Sequence, residues 1–201
     1  MNYLAHIFLS GDDRRVQIGN FIGDAVKGDA YKQYAPGFRE GILLHRKIDD
    51  FADHHPLVKE AVDWGRPHFG RYSAVVTDIF FDYFLATDFP EYSGKSLQSF
   101  AWGFYGAMVR NYFRLPDRIR GFLWHFILTN RLKRYASPEG IRQSLEIMAT
   151  YRNLQVSPEE AVVYLEQHRE EWRALFREFF PEVQEMCRNE LSVLALSKVS
   201  R

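Results

Sequence analysis

Thirteen residues, Gly41 to Asp53, constrain this chain more than any other stretch: Gly-Ile-Leu-Leu-His-Arg-Lys-Ile-Asp-Asp-Phe-Ala-Asp. Read as a helix, they place His45, Asp49 and Asp53 in one row, each four residues from the next. Leu44, Ile48 and Phe51 form an apolar side next to that row. One imidazole and two carboxylates in line beside apolar residues suit a divalent metal ion. The competing reading is a His–Asp pair that stabilises an exposed helix.

The flanking segments read as further helices. Met1 to Ser10 is apolar, with Asn2 and His6 four apart, and fits a short helix. The segment after Ser10-Gly11-Asp12-Asp13 carries Val16, Ile18, Asn20, Phe21, Asp24 and Ala25, and Gly28 stops it. On one continuous helix Asn20 and Asp24 share a face, with Asp24 among Phe21, Ile22 and Val26. An unpaired carboxylate is costly in such surroundings. Pro36 opens the helix that carries the central stretch to about His54, and Pro56 starts the next. Gly65, Pro67 and Gly70 mark a break.

From Ser73 to about Asp88 runs an apolar helix whose only charges before Asp88 are Asp78 and Asp82, one turn apart. Two such carboxylates repel unless a cation lies between them. Either a metal ion or a basic side chain such as Arg46 can supply it. Phe89-Pro90 ends this helix. Further helices are expected from Gly94 to about Arg114, from Pro116 through Leu128, and from Ser137-Pro138-Glu139 through Ile147 and Tyr151. Ser157-Pro158-Glu159-Glu160 is a capping box, opening a helix that buries Val162, Leu165, Trp172, Leu175, Phe176 and Phe179. Pro181 interrupts it, and a last helix reaches about Ser197. No segment alternates cleanly as a strand. The expected fold is all-α, a single helical domain over residues 1–201.

Asp24, His45, Asp49 and Asp78 come from three such helices, and helical bundles build metal sites from facing helices in this way. His6, Asp53 and Asp82 form the next ring of candidates. One imidazole with several carboxylates favours Mn²⁺ or Mg²⁺, with Fe²⁺ or Zn²⁺ as alternatives. An ion-pair network is the competing reading. Other catalysts fit poorly. Cys187, the only cysteine, lies on an acidic helix that disfavours a thiolate. No glycine-rich phosphate loop or nucleophile elbow is present.

Charge is balanced at 26 basic and 26 acidic residues, so attraction to a partner has to come from local patches. Residues 110–134 hold Arg110, Arg114, Arg118, Arg120, Arg131, Lys133 and Arg134 against only Asp117. An acidic partner or an ordinary solvated face both account for this. RNA is a weaker candidate, since Tyr112, Phe113 and Phe122 read as easily as core. Nine glutamates in 157–190 face four arginines, which suits a scaffold. With one cysteine, no signal peptide and no long apolar run, a cytoplasmic protein without a membrane span is expected. The oligomeric state is not read from the sequence.

Several blocks together resemble the acyl carrier protein phosphodiesterase (acyl carrier protein hydrolase) family. They are Asn2-Tyr3-Leu4-Ala5-His6, Gly19-Asn20-Phe21-Ile22-Gly23-Asp24-Ala25-Val26-Lys27-Gly28, Gly41 to Asp53, and Asp78 to Asp82 with Phe84. The resemblance is strongest over residues 1–90 and continues in length and helical pattern to the end. It implies a hydrolase that removes 4′-phosphopantetheine from a serine of holo-acyl carrier protein, using Mn²⁺ or, less well, Mg²⁺. It also implies a distant likeness to the all-helical HD phosphohydrolases. Their adjacent His-Asp pair is absent, because Arg46 follows His45.

On these blocks and the helix-face argument, the expected metal ligands are Asp24, His45, Asp49 and Asp78. Asp82 is expected to take or orient a proton, and Arg46 to offset phosphoryl charge. His6, Asn20 and Asp53 are expected to support the ligands. Arg110, Arg114 and Arg118 are expected to dock the acidic carrier protein. Two alternatives stay open: a related phosphohydrolase acting on another phosphodiester or nucleotide, and a helical binding protein without catalysis.

Overall fold

A computed structural model describes the backbone of residues 1–152 and 155–199, and the side chains of 1–149 and 155–194. These residues form twelve α-helices and no strand. In chain order they are α1 (Tyr3–Phe8), α2 (Arg14–Phe21), α3 (Phe38–His54), α4 (Pro56–Phe69), α5 (Ser73–Thr87) and α6 (Phe89–Tyr92). Then follow α7 (Leu97–Arg110), α8 (Asp117–Leu128), α9 (Arg131–Arg134), α10 (Pro138–Arg152), α11 (Pro158–Gln167) and α12 (Arg169–Val199). Short 3₁₀ turns at Gly23–Ala25, Gly28–Gln33, Gly70–Tyr72 and Tyr112–Arg114 join some of them.

Helix α5 is the axis of the bundle. It is buried nearly all round, as its uniformly apolar sequence requires, and it touches α1, α4, α6, α10 and α12. Aromatic rings of α12 close one side: Trp172 meets Phe80 at 5.1 Å, Phe179 meets Phe81 at 5.6 Å, and Phe176 meets Phe84 at 6.0 Å between centroids. Each buried ring contributes about 2–3 kcal/mol of apolar burial.

Helices α2 and α3 pack backbone against backbone. A Cβ on Gly19 would lie 2.1 Å from the Phe38 carbonyl oxygen, and one on Gly41 2.1 Å from that of Val16. Only glycine lets these backbones touch, and the touch brings Asn20 up to His45.

Several expected boundaries move: the helix expected from Gly94 to Arg114 is Leu97–Arg110, the one expected from Pro36 starts at Phe38, and three further changes are larger. Helix α2 stops at Phe21 instead of running to Gly28, so Asp24 sits in the 3₁₀ turn and is exposed. Gly65 and Pro67 do not break α4; the stop comes at Gly70, whose φ is +52°. Gly65 lies inside the buried stripe of Val58, Ala61 and Phe69, and a Cβ there would come within 2.5 Å of Ser73 Oγ; Pro67 faces solvent. Pro181 likewise sits on the exposed side of a continuous α12, between buried Phe180 and Val183. The interruption falls at His168. In both helices the apolar stripe on each side of the proline outweighs its cost of about 3 kcal/mol. The starts at Pro56, Pro138 and Ser157 hold; the Glu160 amide donates to Ser157 Oγ at 3.2 Å. Tyr151 lies outside the described side chains.

Candidate metal centre

A cavity of about 250 Å³ opens where α1, the α2 end, α3 and α5 converge. Its polar lining includes His6, Asn20, Asp24, His45, Asp49, Asp53 and Asp78, and its apolar lining includes Tyr3, Phe21, Val75 and Met148. Thus Asp24, His45, Asp49 and Asp78 share one cavity. Asp53 sits exposed at its edge.

The centre is two stacked imidazoles bridged by one carboxylate. The His6 and His45 rings lie 4.2 Å apart, tilted by 27°. Asp49 Oδ1 is 3.1 Å from His6 Nε2, and Asp49 Oδ2 is 3.2 Å from His45 Nε2. Asp24 Oδ1 reaches His45 Nε2 at 3.7 Å. On the far side of the rings Asn20 Oδ1 lies 2.8 Å from His6 Nδ1 and 3.2 Å from His45 Nδ1. The His45 ring packs on Gly23, where a Cβ would come within 2.4 Å of it. One ligand atom from each of His6, His45 and Asp49 lies within 4.8 Å of the others, a spread that a single ion with ligand bonds of about 2.0–2.3 Å can gather with small side-chain movement.

The electrostatics match a site held ready for positive charge. Burial works against protonation of His45, but hydrogen bonds to Asp24 and Asp49 prevail and raise it to about 9. The hydrogen bond from His45 holds Asp24 down at about 2. Burial disfavours the Asp49 anion, but both imidazoles hold it well below the usual carboxylate range. His6 is pushed down, mainly by burial. Asp78 is paired with the Met1 amino group at 3.0 Å, and that contact overcomes burial to raise the amine.

Two expected catalytic groups lie elsewhere. Asp82 is fully buried and outside the cavity lining. Its oxygens accept from the amides of Leu4 at 2.8 Å and Ala5 at 3.1 Å, so it secures the first turn of α1. Burial raises its carboxyl to about 7. Arg46 points away from the cavity and donates to the carbonyls of Val26 at 3.1 Å and Gly28 at 2.7 Å. Its guanidinium also lies 5.2 Å from the centre of the Tyr31 ring. It ties down the loop that carries Asp24, and the Met1 amine stands where the sequence reading put Arg46. His6, expected only to support the ligands, is itself at the centre: its spacing from Asn2 marks a helix face, but its neighbours Asn20, His45 and Asp49 come from α2 and α3.

The basic segment divides. Arg110, Arg114 and Arg118 are exposed, whereas Arg131 is buried and Arg120 is paired with Asp117. Phe122, one turn after Arg118 on α8, packs against the cavity residues Tyr3 and Phe21, with centroids 6.4 and 6.3 Å apart. Buried Cys187 has its thiol pushed up to about 12 by burial, which leaves it inert. No helix among the described residues is long and apolar enough to cross a membrane.

A family model described as acyl carrier protein phosphodiesterase matches residues 1–183. Curated proteins named acyl carrier protein phosphodiesterase match over nearly their whole length. The one from Pectobacterium atrosepticum is 27% identical, covering 94% of this chain and 99% of its own. The one from Salmonella agona is 30% identical, covering 90% and 94%. The one from Yersinia pestis is 29% identical, also covering 90% and 94%. No solved structure gives a significant match.

Proposed function

The chain belongs to the acyl carrier protein phosphodiesterase family, a family of phosphodiester hydrolases, and from that premise we propose that it removes 4′-phosphopantetheine from holo-acyl carrier protein. The products are apo-carrier protein and free phosphopantetheine. The observation that carries this reading is the convergence of His6, His45 and Asp49 in a cavity rimmed by Asp24 and Asp78. The relation to HD phosphohydrolases belongs to the same proposal.

The donor set fits a divalent cation. Two imidazole nitrogens and the Asp49 carboxylate would hold it, with Asp24 and Asp78 as further carboxylates of the same cavity. Carboxylate-rich surroundings favour Mn²⁺, with Mg²⁺ or Fe²⁺ as alternatives. When bound, such an ion lowers the pKa of water and offsets charge on a phosphodiester.

The protein's own groups supply the rest. Asp24, half exposed and lining the cavity beside His45 Nε2, can reach an entering water, orient it and accept its proton as the water attacks phosphorus. This transfers to Asp24 the role expected of Asp82. The serine oxygen of the carrier protein leaves. Tyr3, Phe21 and Met148 give the phosphopantetheine arm an apolar wall. Arg118, one turn before Phe122 on α8, with Arg110 and Arg114, receives the acidic carrier protein.

The test is to incubate the protein with holo-carrier protein and Mn²⁺ and follow carrier mass. Loss of the phosphopantetheine arm, dependent on the cation, supports the proposal. An unchanged carrier, with a small phosphodiester hydrolysed, would redirect the substrate assignment. No cleavage of either would leave a helical binding protein.

A further inference from the structure

The proton positions around the two histidines can be traced from a fixed end. The backbone carbonyl of His6 can only accept a hydrogen bond. Ser10 Oγ lies 2.8 Å from it and donates its single proton there. Ser10 Oγ is therefore the acceptor for Asn20 Nδ2, 2.8 Å away. That fixes the orientation of the Asn20 amide and turns Oδ1 towards the two rings. The same oxygen lies 2.8 Å from His6 Nδ1 and 3.2 Å from His45 Nδ1. An amide oxygen has two lone pairs and no proton, so each Nδ1 carries hydrogen.

The consequence appears on the cavity side. A neutral ring protonated at Nδ1 has a bare Nε2. His6 Nε2 faces Asp49 Oδ1 and the Met1 carbonyl oxygen, both at 3.1 Å. His45 Nε2 faces Asp49 Oδ2 at 3.2 Å and Asp24 Oδ1 at 3.7 Å. With neutral rings every one of these atoms is an acceptor, and such a ring of acceptors is stable only around added protons or a cation.

We propose that Asn20 is a positioning residue that commits both imidazoles to Nδ1–H at once, so that the two Nε2 atoms facing Asp49 are the positions at which either a proton or a cation is held. Ser10 sets its direction. The role in catalysis rests on the cation-dependent reading above; the proton assignment does not.

The test is long-range ¹H–¹⁵N spectroscopy of the histidine rings in the apo-protein and with Mg²⁺. Pyrrole-type Nδ1 on both His6 and His45 in both states is expected, with changes confined to Nε2. Asn20→Ala should give pyridine-type Nδ1 on at least one ring in the apo-protein and lower Mg²⁺ affinity about 10- to 100-fold. Asn20→Asp, which still offers an oxygen to both rings, should keep Nδ1–H. Ser10→Ala, which touches neither ring side chain, should give a smaller affinity loss through release of the amide. Pyridine-type Nδ1 on either wild-type ring overturns the assignment without any variant, even if Mg²⁺ binds. Unchanged ring nitrogens in a folded Asn20→Ala protein overturn it too. Wild-type rings as expected with no divalent binding would retain Asn20's role and remove the cation.

Discussion

Two clusters hold carboxylates near the ends of α5, and they are built from different cations. At the C-terminal end, buried Asp88 is clamped by Arg177 at 3.0 Å and Arg173 at 3.4 Å, and Arg177 also holds Glu91 at 2.9 Å. Two guanidiniums, which are permanent cations, face Asp88 and Glu91, and Arg173 also reaches Glu170 at 3.5 Å. This knot joins α12 to α5 and α6. Towards the other end, Asp49 faces two imidazoles, Asp24 faces His45 with Lys27 at 3.8 Å on its exposed side, and Asp78 is paired with the Met1 amine. Permanent cations close an ionic cluster; titratable ones leave it open to an ion from outside.

The sharpest way to break this contrast is to delete a member of each cluster. Asp49→Ala or His45→Ala should reduce kcat/KM at least about 1,000-fold while circular dichroism stays near native. Arg177→Ala should leave kcat unchanged and lower the urea midpoint of unfolding slightly. Reversed outcomes would exchange the roles of the two clusters.

Asp82 provides the next test, because it neighbours the cavity group Asp78 on α5 yet serves the fold. Asp82→Ala orphans the amides of Leu4 and Ala5 and should cost about 3 kcal/mol of stability. Whatever folded fraction remains should turn over at close to the native rate. Full stability with lost turnover would return Asp82 to catalysis.

Much of this was legible in the chain. The helix starts at Pro56, Pro138 and Ser157 rest on local capping chemistry, and the apolar run of α5 announces a buried helix. His45 and Asp49 share a face by spacing alone. What failed was non-local. Pro67 and Pro181 lie within helices because buried residues on both sides hold the helix together, and those residues act through tertiary packing. Asp24 leaves the Asn20 face because α2 gives way to a 3₁₀ turn that seats Gly23 under the His45 ring. Arg46 and Asp82 find backbone partners on other elements, and Asp88 finds arginines 85 and 89 residues away. Local periodicity cannot see such pairings.

A gentler perturbation is pH. His45 is raised from its ordinary 6.5 to about 9 in the folded state. Its contribution is therefore complete below pH 6.5 and is lost as pH rises through 9. Because Asp24 and Asp49 are partly exposed, about 1–2 kcal/mol of apo-protein stability should disappear across that window. His45→Gln should flatten the change, whereas Arg177→Ala should leave its slope intact. The smallest effect concerns docking. Arg114→Glu with Arg118→Glu should raise KM for carrier protein about tenfold, more at low salt, and leave a small phosphodiester unaffected.

The central claim is that the imidazole cluster holds a cation and the arginine knot does not. Titration of Mn²⁺ into the apo-protein, read by the loss of the free-ion resonance, tests it directly. Saturable binding is expected, weakened at least about 100-fold by Asp49→Ala and unaltered by Arg177→Ala. Equal binding by the native protein and Asp49→Ala, or none by a fully folded native protein, would contradict it.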